Sequence, residues 1–237
     1  GEIVRNVDLD IREGEILGIG GLAGQGKLGI PNGVMGLYDA GGTVEFDGKQ
    51  IPLNDPKACL SASLAFVSED RRGVGLLLDE SLEWNVSFTL MQSQNKLLKN
   101  LLGGLIKWRD SKAIHALTNQ YIDELAIKCT GSQQKARELS GGNQQKICLA
   151  RAFALHPKFL FVSEPTRGID VGAKAEVYRT LHQLASEGKA IIMVSSELPE
   201  IIGVSDRILV MCEGRITAEL QNENLQEDDV IRYAFSS

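Results

Sequence analysis

Apolar residues recur in two rhythms along this chain. From Ile3 to Ile11 apolar and polar positions alternate, which predicts an exposed strand. Glu15 to Ile19 is a short apolar run entering a glycine cluster, and reads as a buried strand ending in a turn. Lys27 to Leu37 predicts a helix that Gly29, Pro31 and Gly33 weaken, with Pro31 tolerable only in a first turn. Thr43 to Phe46 followed by Asp47-Gly48 predicts a strand and hairpin turn, and Leu64 to Val67 a further strand.

Between about Leu82 and Arg137 the rhythm changes. Leu, Ile and Ala recur at helical spacing among Lys, Gln and Asp, as in an inserted helical lobe. Gln144 to Ala154 has helix-forming composition. Strands are then predicted at Phe159 to Val162, Ala190 to Val194 and Arg207 to Cys212, with helices at Ala173 to Ala185 and near Glu197 to Ile202. Glu213-Gly214 turns into a last strand, Arg215 to Leu220, and the acidic tail Glu223 to Asp229 reads as a solvated helix start capped at Asn224 or nearby. Strands alternating with helices predict an α/β fold around a mainly parallel sheet. The expected organisation is one domain over 1–237, with a core of about 1–80 and 138–237 and a helical subdomain of about 81–137.

Composition narrows the function. The 237 residues are 43% hydrophobic and 24% charged, with a net charge of −6 and no Lys/Arg-rich run, so no nucleic-acid partner is expected. No stretch approaches the roughly 18 consecutive apolar residues of a membrane span, and Gly1 to Asp10 lacks the apolar centre of a secretion signal. Cys59, Cys129, Cys148 and Cys212 form no CxxC pair and read as reduced, mostly buried thiols. His115, His156 and His182 share no ligand spacing, so no metal site is expected from them.

Two glycine-rich segments carry the candidate chemistry. Gly21-Leu22-Ala23-Gly24-Gln25-Gly26-Lys27 follows a predicted strand and precedes a predicted helix. Successive N–H groups in such a loop make an anion-binding concavity, and Lys27 would reach outer phosphates. A ligand-free glycine-rich turn is the alternative reading. The magnesium-holding Ser or Thr that should follow the lysine is replaced by Leu28. The second segment is Leu139-Ser140-Gly141-Gly142-Asn143-Gln144-Gln145-Lys146, whose glycines uncover N–H groups at a predicted helix start, where phosphate is favoured.

This LSGGNQQK run resembles the signature loop of ATP-binding-cassette (ABC) ATPases, P-loop NTPases with a small antiparallel β subdomain and an inserted helical subdomain. Phe159 to Thr166 resembles their Walker B segment, with Glu164 in the catalytic place but Ser163 where an Asp is usual. Phe66 to Arg72 occupies the place of the Q-loop and presents Glu69 in place of glutamine. Met193 to Glu197 holds Ser196 at the switch-histidine position, and Gly1 to Glu13 has no aromatic residue to stack on adenine. Together with SEPTRGIDVGAK, VSSELPE and SDRILVMCEGRI, the resemblance covers about Val4 to Ala218. It is closest to the C-terminal cassette of tandem ATPases driving ribose- and galactose-type importers, with relatives for other small solutes.

The resemblance implies a division of labour. Ser140, Gly141, Gly142, Asn143 and Gln144 would cover ATP held by an N-terminal cassette of the same or a sister chain, and Asp170 matches the D-loop aspartate at that interface. Gly21, Gly24, Gln25, Gly26, Lys27, Leu28, Glu69, Ser163 and Ser196 would form a degenerate pocket of the chain's own, with Glu164 vestigial and magnesium doubtful. A metal contributes several kcal/mol to phosphoryl transfer, and losing about 3 to 4 kcal/mol slows a reaction roughly 100- to 1000-fold. The remaining expectations are permease subunits as partners, a solute-binding protein indirectly, and a peripheral place on the cytoplasmic face of the inner membrane. Leu82 to Val86 and Lys96 to Trp108 are candidates for docking a permease helix, or simply pack within the lobe. Two alternatives stay open: a competent homodimeric ATPase, and an ABC-type regulatory module with no transporter.

Overall fold

The computed structural model describes residues 3–101 and 106–235. The chain forms two compact units. One comprises Gly1–Ser68, Lys158–Pro165 and Tyr178–Ser237, and the other Glu69–Pro157 and Thr166–Val177. The segment LSGGNQQK lies in the second of these units.

The first unit is built on six strands: β1 (Ile16–Gly20), β4 (Leu64–Val67), β7 (Phe159–Ser163), β8 (Ala190–Val194), β9 (Arg207–Cys212) and β10 (Arg215–Gln221). Their order is β10-β9-β1-β8-β7-β4; β10 runs antiparallel to β9 and the other pairings are parallel. Every residue of β1, β7, β8 and β9 is buried, as expected for parallel strands covered on both faces. Val44–Phe46 (β2) and Lys49–Ile51 (β3) form the predicted hairpin, with Asp47 and Gly48 both at positive φ in the turn. Arg207, 2% exposed, is held at 2.7 Å by Glu15 and at 2.7 Å by Glu219, fastening β9 to the start of β1 and to β10.

Three predicted elements of this unit differ. Residues 3–11 form no strand: Val4, Val7, Leu9 and Ile11 do turn inward onto the core, so the alternation reports burial without a hydrogen-bonded ladder. The helix expected over Lys27 to Leu37 shrinks to α1 (Gly29–Val34), leaving Pro31 in its first turn. The tail helix α8 (Glu227–Ala234) is capped by Gln226 with Asp229 in a capping box, instead of Asn224, and buries Val230 and Ala234. Short helices α2 (Pro56–Ser61) and α7 (Leu198–Val204) complete the unit.

In the second unit α3 (Leu82–Gln94) packs on α5 (Gly141–Ala154), and α4 (Ser111–Glu124) packs on both. The stretch read as continuous helical lobe also contains an antiparallel pair, β5 (Leu98–Leu101) with β6 (Ile106–Arg109). Asn95 and Leu97, at positive φ, end the helix and start this ribbon. Residues 102–105 of the docking candidate Lys96 to Trp108 lie outside the described residues. Helix α6 (Val171–Ser186) starts in this unit and ends in the first.

Candidate nucleotide-binding and signature segments

Strand β1 delivers the chain at Gly20 into the glycine loop, and α1 carries it away. Gly21, Gly24 and Gly26 all have positive φ, which only glycine adopts without strain. Gln25 ties the loop to the β9–β10 turn: its carbonyl accepts from the Gly214 N–H at 2.9 Å, and its side-chain oxygen accepts from the Glu213 N–H. A Cβ on Gly26 would lie 2.6 Å from the Ile3 carbonyl oxygen, so this glycine is required by close approach of the chain.

Lys27 is only 1% exposed. Its Nζ donates to the Ser196 hydroxyl at 2.9 Å and to the Ser195 carbonyl at 3.3 Å. Ser196 in turn donates to a Glu164 carboxylate oxygen at 2.7 Å. The first unit thus brings together Lys27, Glu164, Ser163 and Ser196 from three strand ends. Glu164 sits at φ 51, in the left-handed region, held by its N–H donating to the Val194 carbonyl at 2.7 Å. Such strain in a non-glycine residue clusters at functional sites.

Leu28 and Ser163, the two expected departures from the magnesium-binding pattern, have explicit surroundings. Leu28 packs against the apolar cluster of Leu17, Ile19 and Ile192, so its side chain serves the core. Ser163 is fully buried, and its hydroxyl has no hydrogen-bond partner. Among the described residues no three His, Cys, Asp or Glu side chains gather as a metal site.

The second unit holds the other segments. Ser140 is the exposed N-cap of α5, and its hydroxyl accepts from Asn143 Nδ2 at 2.9 Å. Gly142 faces the loop carrying Asp170: a Cβ there would lie 3.0 Å from the Gly168 carbonyl oxygen. Asp170 accepts from the Ala173 N–H at 3.1 Å and so caps the start of α6. Gln144 donates to the Ala136 carbonyl at 3.1 Å while its side-chain oxygen is buried without a partner. Glu69 opens this unit, half-buried, one residue past Ser68.

Burial pushes the Cys148 thiol, on α5, up to about 11, against the weaker opposing pull of Arg151 and Arg71. In α3, Leu82, Asn85 and Val86 are buried, so of that docking candidate they serve packing. Trp84 packs against Phe88 with their rings tilted at 48°, and Arg109 lies 5.0 Å over the Trp84 ring, whereas Trp108 is 64% exposed. Sequence reasoning missed Arg71, whose guanidinium meets Gly141 and Gly168, since nothing in a run of charges marks which one crosses to a distant loop.

A mainly parallel sheet whose central strand ends in a glycine loop with a buried lysine is the architecture of a nucleotide-binding α/β domain. The ABC transporter family matches residues 4–167, and the chain belongs to that family. A ribose import ATP-binding protein of Rhizobium etli is 43% identical over 97% of this chain, which spans 44% of that protein. A xylose import ATP-binding protein of Moorella thermoacetica is 40% identical over 98% of this chain, which spans 45% of that protein. The chain therefore spans less than half the length of these relatives. Among solved structures, a bacterial ABC transporter cassette in dimeric form superposes with a TM-score of 0.77 at 22% identity, covering 94% of this chain and 91% of that one. A nucleotide-free ATP-binding cassette from an ABC transporter gives 0.77 at 21% identity, covering 100% and 95%. The fold is thus that of the P-loop ABC ATPases, and among the described residues no helix is long and apolar enough to cross a membrane.

Proposed function

We propose that this chain is one ABC ATP-binding domain of a sugar importer that binds nucleotide in a degenerate pocket and completes a partner's ATPase site with its signature loop. The observation that carries the reading is that Leu28 packs against the core while Ser163 lies buried next to Glu164 in the chain. Leu28 offers no oxygen and Ser163 one neutral hydroxyl in place of a carboxylate, a poor donor set for an octahedral, oxygen-demanding magnesium ion, so the residues do not fit the metal and no hydrolytic step is assigned to this pocket. The glycine loop and Lys27 remain a phosphate cradle, and ATP is the expected ligand.

Ser140, Gly141 and Gly142 retain uncapped N–H groups at the start of a 14-residue helix, the polarity that receives a terminal phosphate. In this reading they cover ATP held by the companion cassette, with Asp170 at the same interface. The companion is an N-terminal cassette of the same or a sister chain, permease subunits dock alongside, and the assembly lies on the cytoplasmic face of the membrane. A solute-binding protein takes part indirectly. The relatives' names favour a ribose- or xylose-like monosaccharide as cargo.

The deciding experiment is ATP binding with and without magnesium, beside a turnover assay on the purified chain. The expected outcome is weak binding nearly indifferent to magnesium and no turnover. Hydrolysis at about 1 s⁻¹ or faster by this chain alone would establish the homodimeric ATPase instead.

A further inference from the structure

We infer that Arg71 is a positioning residue that locks the signature turn to the Asp170 loop, so that both meet a partner's nucleotide as one rigid element. The inference rests on the proposed role of Ser140 in completing a neighbouring ATPase site.

Arg71 opens a single π-helical turn, Arg71–Gly75, in which Val74 and Gly75 N–H groups both donate to the Asp70 carbonyl, at 3.0 and 2.9 Å. The Asp70 carboxylate caps the turn by accepting from the Gly73 N–H at 2.9 Å. The turn is seated on α5, since a Cβ on Gly75 would lie 3.0 Å from Cys148 Sγ. From this base the guanidinium spans to two other segments. Its Nη1 donates to the Arg167 carbonyl at 3.0 Å. Its Nη2 lies 2.9 Å from the place a Gly141 Cβ would take, and its Nη1 lies 3.4 Å from that of Gly168. Two glycines thus leave room for one planar cation between them.

The location is informative because charge alone does not favour it. A cation beside the first turn of α5 opposes the helix dipole, and among the described residues Arg71 has no carboxylate ion-pair partner. What the guanidinium obtains is the Arg167 carbonyl and a flat fit against Gly141 and Gly168. Because Gly142 also approaches the Gly168 carbonyl, backbone meets backbone there, and the guanidinium closes one side of that contact. Ser140 and Asp170 flank the joint. Small displacements of positioning groups cost rate more than ground-state affinity, so the joint should act on turnover.

The test uses the complete ATPase, in which this chain faces the cassette it completes. ATP turnover is measured for Arg71→Ala, Arg71→Lys, Gly141→Ala and Ser140→Ala. Arg71→Ala should lower kcat about 10- to 100-fold with KM for ATP changed less than about threefold. Added guanidinium at sub-denaturing concentration should restore part of that rate, but none to Ser140→Ala. Arg71→Lys should stay impaired, because an ammonium lacks the planar fork. Gly141→Ala, which displaces the guanidinium without removing it, should reproduce the fall, and an unchanged circular-dichroism spectrum and melting temperature of Arg71→Ala guard against misfolding. Turnover of Arg71→Ala and Gly141→Ala within about twofold of the unaltered protein, with Ser140→Ala inactive, overturns the inference and leaves the proposed function standing. Full turnover by Ser140→Ala overturns both.

Discussion

The ammonium of Lys27 donates to the hydroxyl of Ser196 at 2.9 Å, and that hydroxyl donates onward to Glu164 at 2.7 Å. The lysine that would hold phosphate is thus engaged by Ser196, just past the end of β8. An incoming phosphate must displace this contact. Removing Ser196 should therefore help binding: Ser196→Ala is expected to raise ATP affinity by roughly 2- to 10-fold, the worth of one hydrogen bond of about 0.5 to 1.5 kcal/mol. Titration calorimetry with ATP reads this directly, and weaker binding in Ser196→Ala would mean that the hydroxyl contacts nucleotide.

Oxygen supply at Leu28 and Ser163 should decide magnesium dependence. The double variant Leu28→Thr/Ser163→Asp is expected to bind ATP about tenfold more tightly with magnesium than without, a difference of about 1.4 kcal/mol. The unaltered chain should show little difference. Leu28 also packs on the core, so the same variant should melt at a lower temperature, which calorimetry can follow separately.

The Arg207–Glu15 pair predicts acid sensitivity of the first unit. Burial works to raise the Glu15 pKa, but hydrogen bonds from Arg207 and from the Arg12 N–H, with their charges, outweigh it, and the net direction is down. A carboxylate depressed in the folded state stabilises above its unfolded pKa, and that contribution is lost as pH falls through the folded value. Urea midpoints should therefore be level near neutrality and drop below about pH 4.5. Glu15→Gln should flatten part of that drop. Arg207→Met should cost about 3 to 5 kcal/mol near neutral pH, because it strands a buried carboxylate.

Thiol reactivity should sort the cysteines by depth. Cys148 is 1% exposed with its pKa pushed up to about 11 by burial, and burial first, then Asp55, raises that of Cys59. Cys129 is only half-buried. Iodoacetamide near neutral pH is expected to modify Cys129 first and to reach Cys148 and Cys59 only on unfolding. Mass spectrometry of the modified peptides checks the order; early labelling of Cys148 would mean that α5 opens.

Much of this protein was legible in one dimension. The apolar runs at β1, β7, β8 and β9 announce themselves because parallel strands covered on both faces need uninterrupted apolar residues. The glycine loop and LSGGNQQK were readable because backbone N–H groups can converge on an anion only where side chains are small. Leu28 could be marked as a departure from the phosphate-loop pattern, whereas Ser163, Glu69 and Ser196 stood out only through the resemblance to ABC ATPases. Tertiary structure decided the rest. Residues 3–11 alternate like a strand yet lack a ladder, because burial sets the alternation while pairing needs a neighbour at the right distance. The ribbon β5–β6 hides in a helical rhythm, since leucine and lysine suit either element and only packing chooses. The bonds from Lys27 to Ser195 and Ser196 span 168 and 169 residues, and Arg71 reaches Arg167 across 96. Local pattern is written in nearest-neighbour spacing; which distant side chain completes a site is settled only when the chain closes on itself.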